Sequence, residues 1–367
     1  MKKWFKITSI VLICTIWFVL AVISWFKPAD KLSVSERRPF MQFPSLSAQT
    51  IENASFMRDF EKYTTDQFPF RDSFRRLKAL FSKNILLQKD NNKVYIANGH
   101  ASKLDYPASE TSMQNAVNKI TELYNLSCTG SHANVYFSIV PDKNYFLAEE
   151  NGYLSMDYAE FAEYFRDNLG FADYIDIFDT LSIDDYYTTD SHWKQECLQE
   201  TVNKLADSMG LVLSDVYEEQ TLSNTFYGVY YGQAALPAEP DTINYLSNDV
   251  LSGCIVTSYD TGSPKASVIY DFSALESPDP YDFFLSGADA IITIDNPACE
   301  TDRELVIFRD SFGSSIAPLM VSAYSRITLV DLRYVNQAFL GNYIDFKDQD
   351  VLFLYSTMLL NNSLSIK

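Results

Sequence analysis

Histidine, cysteine and basic side chains are all scarce in this sequence of 367 residues. Only three histidines occur, and the five cysteines have no short metal-type spacing, so we expect neither a metal site nor a cofactor. Lysine and arginine number 29 against 48 aspartates and glutamates, and no basic stripe is present to neutralise phosphates. The composition therefore argues against nucleic acid as a partner, and the acidic field favours a neutral or weakly charged substrate.

The cysteines leave the redox state of the protein open. Four lie outside the first 26 residues, namely Cys128, Cys197, Cys254 and Cys299. In an exported domain they permit two disulfides with three possible connectivities. Four buried free thiols explain the same residues at least as well.

Charge is absent from residues 7–26, ITSIVLICTIWFVLAVISWF. A helix of this length spans the roughly 30 Å hydrocarbon core of a bilayer at about 1.5 Å per residue. Lys2, Lys3 and Lys6 precede it, and the positive-inside tendency keeps this short tail, residues 1–6, in the cytoplasm. Everything after Lys27 is then expected on the other side of the membrane.

A cleaved signal peptide is the alternative interpretation of the same segment. Its apolar region would usually be about 7 to 15 residues long and end in a small-x-small site. The run here is longer, and Ser24-Trp25-Phe26 is a poor cleavage site. Cys14 follows Ile13 rather than a small residue, which argues against a lipid-modified cysteine. An uncleaved single-pass anchor is therefore predicted.

The remaining 341 residues divide into three parts by their pattern, with a formal charge of −22. Residues 27–50 form a proline-punctuated tether with little periodicity. Residues 51–90 have apolar positions at helical spacing on both sides of a break at residues 66–72, which predicts a helical hairpin. Residues 91–367 contain the main domain.

The main domain alternates between apolar runs and helical segments. Predicted strands cover residues 133–140, 174–178, 267–270, 290–294, 305–308, 327–329 and 351–354, and predicted helices cover 111–124, 158–169 and 192–209. This alternation predicts an α/β fold with a doubly wound, mostly parallel sheet of the flavodoxin-like kind. Functional groups then collect in the loops that follow the strands.

One such loop follows the predicted strand at residues 305–308 and reads RDSFGSS. A strand, a turn of small residues and a helix together hold a serine, Ser311, at a sheet edge. The backbone amides of Phe312 and Gly313 would then lie at a helix N-terminus and stabilise an oxyanion. An ordinary helix N-cap is the alternative interpretation of Asp310 and Ser311.

A second loop, YYTTDSHW at residues 186–193, contains the best candidate for a base. Asp190 lies two positions before His192, and in extended backbone such side chains point the same way. An aspartate that accepts from one ring nitrogen leaves the other free to take a proton from a serine. His100 and His132 are expected at the surface. An N-cap before a helix at residue 192 is the alternative.

These motifs resemble the bacterial DHHW proteins, whose signature is similar to YYTTDSHW with Ser191 in place of its first histidine. The segments SERRPF, TDQFPFRD, VPDKNYF, FRDSFGSS and VDLRY extend the resemblance over most of the chain. The family looks related to the SGNH-like domains of alginate O-acetyltransferases, in which the paired Asp and His precede the serine. The order of Asp190, His192 and Ser311 is similar to that arrangement.

The resemblance implies an SGNH-like fold and a Ser-His-Asp triad in an extracytoplasmic O-acetyltransferase. Ser311 would be the nucleophile, His192 the general base and acid, and Asp190 the residue that orients it. The acceptor would be a cell-envelope or secreted polysaccharide. The acetyl donor would be a multi-span membrane acyltransferase, as in the alginate system.

Three other residues are candidates for substrate binding. The segment NTFYGVYYGQ at residues 224–233 offers Tyr230 and Tyr231 for stacking on a sugar, although core or rim tyrosines are the more common case. Lys143 could reach the same edge, with a solvated lysine as the default. Two alternative functions stay open at this stage: an acetyl esterase with the same site, and a non-catalytic protein that binds or scaffolds cell-envelope glycan.

Overall fold

The computed structural model describes residues 2–260 and 262–367, and the side chains of Lys2 and Lys3, on which the predicted orientation partly depends, lie outside that description. Two compact units are distinguished by their internal contacts. The first comprises the chain up to Asn92 together with Tyr231–Pro237. The second comprises Lys93–Tyr230 and Ala238–Lys367.

The first unit is mainly helical. Its elements are α1 (Lys2–Phe26), β1 (Leu32–Ser33), β2 (Arg38–Pro39), α2 (Ala48–Glu52), α3 (Ser55–Asp66) and α4 (Arg71–Asn84). Within α1, Trp4–Phe26 contains an 18-residue stretch with a mean hydropathy of 2.5 and is long enough to cross a membrane, as an anchor or as a signal sequence.

The turn between α3 and α4 is held by ion pairs. The Arg38 guanidinium donates to both carboxylate oxygens of Asp66 at 2.9 and 2.6 Å, and it holds the pKa of that carboxyl below its ordinary value. Arg71, at the start of α4, lies 2.6 Å from Glu36. The helices α3 and α4 lie on the two sides of the break at residues 66–72, as the sequence predicts.

The second unit is built around one large sheet with helices and short 3₁₀ turns. Its elements are β3 (Val94–Ala97), β4 (His100–Lys103), α5 (Glu110–Ser127), β5 (Asn134–Val140), α6 (Lys143–Leu147), α7 (Tyr158–Asn168), β6 (Asp173–Tyr174), α8 (Gln199–Ser208), β7 (Glu218–Phe226), α9 (Val229–Ala234, which ends in the first unit), β8 (Asp241–Ser247), α10 (Asp249–Gly253), β9 (Ile255–Ser258), β10 (Lys265–Ser267), β11 (Ile291–Asp295), β12 (Glu304–Arg309), α11 (Gly313–Ile316), β13 (Arg326–Val330), β14 (Asp350–Ser356) and α12 (Thr357–Leu360).

The sheet has eight strands in the order β10-β9-β11-β13-β12-β14-β5-β6. The five strands from β13 to β6 are parallel, and β10, β9 and β11 complete the sheet with antiparallel pairings. The central strands β12 and β14 are buried along nearly their whole length, as expected for strands covered on both faces. The predicted α/β class with a mostly parallel sheet is confirmed.

Two apolar clusters cover the two faces of the sheet. One contains α8 and the segment after Ser311, and the other contains α5 and α7. Alternate residues of β12 belong to different clusters, Leu305 and Ile307 to the first and Val306 and Phe308 to the second. This alternation fixes the register of β12 and therefore the position of Arg309, the last residue of the strand.

Several predicted elements differ from the structure. The helix predicted at 192–209 begins only at α8, because His192 and Trp193 belong to an irregular segment bridged to Tyr186. Of the strand predicted at 174–178 only Tyr174 belongs to a strand, the two-residue β6. The hairpins β3–β4 and β7–β8 and the strand β9 were not predicted, because their short runs mix polar and apolar residues.

Two further expectations are settled by burial and bonding. All five cysteines are free thiols. His132 is exposed as predicted, but His100 is buried in β4, and burial lowers its pKa to about 4.

Candidate active site

Ser311 lies one residue beyond Asp310, in the turn after β12. Its hydroxyl oxygen is 2.7 Å from Nε2 of His192, and the serine is partly exposed. The loop therefore presents the Ser311 side chain at the carboxyl end of a central parallel strand, which is the edge where the sequence predicts function.

His192 joins Ser311 to Asp190. Its Nδ1 lies 2.6 Å from Oδ1 of Asp190, and the carboxylate is fully buried. Because an ionised carboxylate only accepts, Nδ1 carries the hydrogen and Nε2 is left to accept from the Ser311 hydroxyl. The three side chains predicted from the sequence are thus brought together in a continuous hydrogen-bonded chain.

The carboxylate of Asp190 is fixed by backbone donors as well. The amide of Val229, at the start of α9, donates to Oδ2 at 2.8 Å, and the amide of His192 donates to Oδ1 at 3.1 Å. A Cβ on Gly228 would lie 2.2 Å from Cβ of Asp190. Only glycine therefore lets the chain before α9 approach the carboxylate this closely.

Lys143 holds the loop that carries Asp190. Its ammonium donates to the carbonyl oxygens of Tyr187, Thr188 and Asp190 at 2.6, 3.1 and 3.0 Å. The side chain is buried, and burial lowers its pKa to about 7. The predicted contact with substrate is thus wrong for Lys143, and so is the alternative of a solvated lysine.

Asp241, at the start of β8, fixes the same loop from another element. Its carboxylate accepts from the backbone amides and the hydroxyls of both Thr188 and Thr189, at 2.5 to 2.8 Å. These four bonds leave the TTD segment little freedom to move. The sequence carries no signal for Asp241, which lies about 50 residues away in the chain.

An aromatic ring supports the imidazole. Tyr281 stacks on His192 with ring centroids 3.8 Å apart and planes inclined by 6°. The Tyr281 hydroxyl and the indole Nε1 of Trp193 both bond Ser315 Oγ at 2.8 Å. The imidazole plane is therefore set by packing as well as by Asp190. Tyr281 also lacks a sequence signal, because the fold alone brings it to the site.

The predicted oxyanion donors have other partners. The amide of Phe312 donates to Oδ1 of Asp310 at 3.1 Å, and the amide of Gly313 donates to the Asp310 carbonyl at 3.1 Å. Asp310 also accepts from the amide and hydroxyl of Ser356 at 2.9 and 2.6 Å, which ties the ends of β12 and β14 together. The expectation that Phe312 and Gly313 form an oxyanion hole is therefore not met in this structure, because Asp310 caps the turn.

The two candidate tyrosines for sugar stacking lie in different surroundings. Tyr230 is 3% exposed, its hydroxyl donates to Sδ of Met358, and the Lys143 ammonium lies 5.6 Å from its ring. Tyr231 belongs to the first unit, where Arg76 donates to its hydroxyl at 2.8 Å. The segment 224–233 is the end of β7 and the short helix α9 rather than an open loop, so the predicted sugar contact of Tyr230 is corrected.

Among the described residues no group of three or more His, Cys, Asp and Glu side chains is placed to hold a metal ion. The geometry instead suits covalent chemistry at a hydroxyl, with a serine, a base and a carboxylate in sequence. Fold and site together define the chain as an α/β protein with a Ser-His-Asp arrangement at the carboxyl edge of its sheet.

Several solved structures match this chain. A DHHW family protein from Eubacterium siraeum matches with a TM-score of 0.59 at 20% identity, over 75% of this chain and 95% of that chain. Bacillus cereus PatB1, solved with a sulfonyl adduct, matches with a TM-score of 0.58 at 17% identity, over 73% and 97%. The O-acetyltransferase domain of Pseudomonas putida AlgJ matches at 0.43 and 12% identity, over 73% and 92%.

The matches to the Eubacterium siraeum and Bacillus cereus proteins show that the fold is shared. No family model matches the chain. No curated protein matches it either.

Proposed function

We propose that this chain is a membrane-anchored O-acetyltransferase that modifies a polysaccharide outside the cytoplasm. The observation that carries the proposal is the hydrogen-bonded series Ser311–His192–Asp190, with contacts of 2.7 and 2.6 Å. The similarity of fold to DHHW proteins and the O-acetyltransferase resemblance of the motifs supply the reaction class.

The reaction has two steps with the same base. Ser311 Oγ attacks the carbonyl carbon of an acetyl donor while His192 Nε2 takes the hydroxyl proton, and the imidazolium is stabilised by Asp190. The donor's leaving group departs with that proton, which leaves an acetyl ester on Ser311. A sugar hydroxyl then gives its proton to His192 and attacks the ester carbonyl; the bond to Ser311 Oγ breaks, His192 returns the proton to that oxygen, and the acetylated sugar leaves.

The carboxylate side of the site is suited to this exchange. Asp190 is fully buried and fixed by two backbone amides, so its charge is held next to the imidazolium that forms in each step. A multi-span membrane acyltransferase that delivers the acetyl group across the bilayer is the partner we propose. The helix α1 would anchor the chain in the same membrane.

A sulfonyl fluoride tests the nucleophile directly. Its sulfur takes the Ser311 oxygen and fluoride leaves, so the full-length protein in detergent should gain one sulfonyl group on Ser311, located by peptide mass spectrometry. Ser311→Ala should gain none, and Ser314→Ala, in the same turn but without a contact to His192, should react like the wild type. Modification that persists in Ser311→Ala would overturn the assignment.

An assay with and without a polysaccharide acceptor distinguishes acetyl transfer from hydrolysis. With an activated acetyl ester as donor, an O-acetyltransferase should give an acetylated glycan in proportion to added polysaccharide, whereas an acetyl esterase should release only acetate. If the wild type gives neither product and no acetyl-enzyme, the non-catalytic glycan-binding alternative is favoured.

A further inference from the structure

The helix α4 of the first unit carries an exposed apolar stripe. Along the helix and its two caps, apolar residues recur at intervals of three or four: Phe70, Phe74, Leu77, Phe81 and Ile85. Their exposed fractions lie between 46% and 64%, so none is packed in the core of the unit. At 100° per residue Phe74, Leu77 and Phe81 fall on one face of the helix, and Phe70 and Ile85 flank it as the N-cap and C-cap residues.

The helix packs on its own unit through a different face. Ala79 and Ser82 are its buried residues, and Arg75 donates to the carbonyl of Gly232 at 2.7 Å. This face lies roughly 120° around the helix from the stripe. The stripe is therefore separate from the face that packs on the unit, and it is free to contact an apolar partner outside the unit.

Charge in the first unit differs from that in the rest of the chain. Residues 27–92 hold 12 basic and 8 acidic side chains, a net charge of +4, and all of that excess comes from residues 71–92 with 6 basic and 2 acidic. Residues 93–367 hold 14 basic and 40 acidic side chains, a net charge of −26. The stripe is thus the apolar part of a basic segment in an otherwise acidic extramembrane chain, a combination typical of helices that lie in a membrane interface.

The stripe is continuous with the membrane-spanning helix. The end of α1 from Trp17 to Trp25 lines a cavity of about 520 Å³ together with Phe68 and residues of α3. The ring of Phe68 in turn meets Phe74 of the stripe edge-to-face, with centroids 5.5 Å apart. An apolar surface therefore extends from α1 through Phe68 to α4.

From these observations we propose that α4 lies in the membrane interface, with its apolar stripe inserted among the lipids and the net positive charge of residues 71–92 attracted to anionic headgroups. The unit would then attach to the bilayer at two places, α1 across it and α4 along it. The occupant of the stripe is lipid rather than a second protein.

The experiment places an environment-sensitive fluorescent amino acid at residue 77 of the full-length protein in vesicles. The matched control carries it at residue 83, where Lys83 lies on the opposite side of α4. With spin-labelled lipid, the probe at 77 should be quenched several-fold more strongly than the probe at 83. Phosphatidylglycerol in the vesicles should strengthen the quenching at 77 compared with phosphatidylcholine alone.

Water-like emission at residue 77 in both kinds of vesicle would overturn the proposal. A blue-shifted emission without quenching by lipid would also overturn it, since the stripe would then be covered by protein. Equal quenching with and without phosphatidylglycerol would overturn its electrostatic part. A second variant, Leu77→Asp with the probe at residue 81, should lose most of the quenching, and unchanged quenching there would contradict insertion of the stripe.

Discussion

Hydrogen bonds and a stacked ring, each contributed by a single residue, hold the candidate site in a fixed geometry. Asp190 is bonded to His192 and to two backbone amides, and its loop is fixed by Lys143. Tyr281 prevents the imidazole from tilting, because its ring is stacked at 3.8 Å. Activity should therefore depend on residues that never touch a substrate, and these can be distinguished by how they act on His192.

Asp190→Asn tests the orientation of the imidazole. The amide of asparagine can donate to Nδ1, which moves the ring hydrogen to Nε2 and leaves no acceptor for the Ser311 hydroxyl. We expect the acetylation rate of Ser311 to fall by about 10³ to 10⁴-fold, as in other Ser-His-Asp enzymes. Asp179→Asn, at an exposed carboxylate, is the control and should react at the wild-type rate. A loss below tenfold in Asp190→Asn would argue against the triad.

Lys143 should make the stability of the protein depend on pH. Its pKa is about 7 in the folded protein, against 10.5 for an ordinary lysine, with Asp190 and Asp241 raising it and burial and Lys194 lowering it. Between these two values the unfolded chain binds more protons, so the stability of the folded protein rises with pH over that window. The melting temperature of the wild type should therefore increase relative to Lys143→Met between pH 7 and pH 10.

Lys204→Met, which removes an exposed lysine, controls for the general effect of pH. Its melting temperature should follow the wild type at every pH. A constant difference between wild type and Lys143→Met from pH 7 to pH 10 would show that Lys143 keeps an ordinary pKa in the folded protein.

At the level of elements, the site is formed where three chain segments end or begin. The turn after β12 supplies Ser311, the irregular segment before α8 supplies Asp190 and His192, and the start of α9 supplies the amide that bonds Asp190. The first two follow from sequence, because buried strands and an Asp-x-His pair are local signals. The third does not, because nothing in GVYYGQ indicates that its first amides face a carboxylate about 40 residues earlier.

Gly228→Ala tests the approach of that third segment. The added Cβ would lie 2.2 Å from Cβ of Asp190 and 2.4 Å from its Cα, so the start of α9 must move away and the bond from Val229 to the carboxylate must lengthen. We expect a loss of about 1–3 kcal/mol in stability and a matching fall in acetylation rate. Gly253→Ala, where the new Cβ meets nothing within 4 Å, should keep both.

Equal melting temperatures for Gly228→Ala and Gly253→Ala would contradict this packing. So would a Gly228→Ala protein that acetylates Ser311 at the wild-type rate.

The strands that the sequence predicted well are apolar at nearly every position, and the strands that it missed are polar or very short. β12 and β14 are apolar at nearly every position because both faces are covered, so their runs stand out. β7 is mostly polar and exposed, and β6 has two residues, so neither has a periodic signal. The oxyanion prediction failed for a related reason. RDSFG gives Asp310 as an N-cap, but only the structure shows that it occupies the amides of Phe312 and Gly313.

Across the whole molecule, charge is the feature that the sequence determines most directly. The three lysines before residue 7 are followed by an uncharged helix and then by a chain with a net charge of −22. A short basic tail stays on the cytoplasmic side of a membrane more readily than it crosses. An apolar helix alone does not set this direction, since an anchor and a signal sequence both begin this way.

Fusions to the last residue, Lys367, test the proposed orientation in bacterial cells. Alkaline phosphatase folds only outside the cytoplasm, so its fusion should be active and should sediment with the membranes, whereas a fusion to green fluorescent protein should be dark. Lys2→Glu, Lys3→Glu and Lys6→Glu together remove the basic tail, and we expect the phosphatase activity to fall because the positive-inside bias is lost.

A bright green fluorescent fusion of the wild type would place the main domain in the cytoplasm and contradict the orientation. Phosphatase activity that is released from the membranes would instead show that α1 is cleaved as a signal sequence, and the proposal of an anchored enzyme would fall with it.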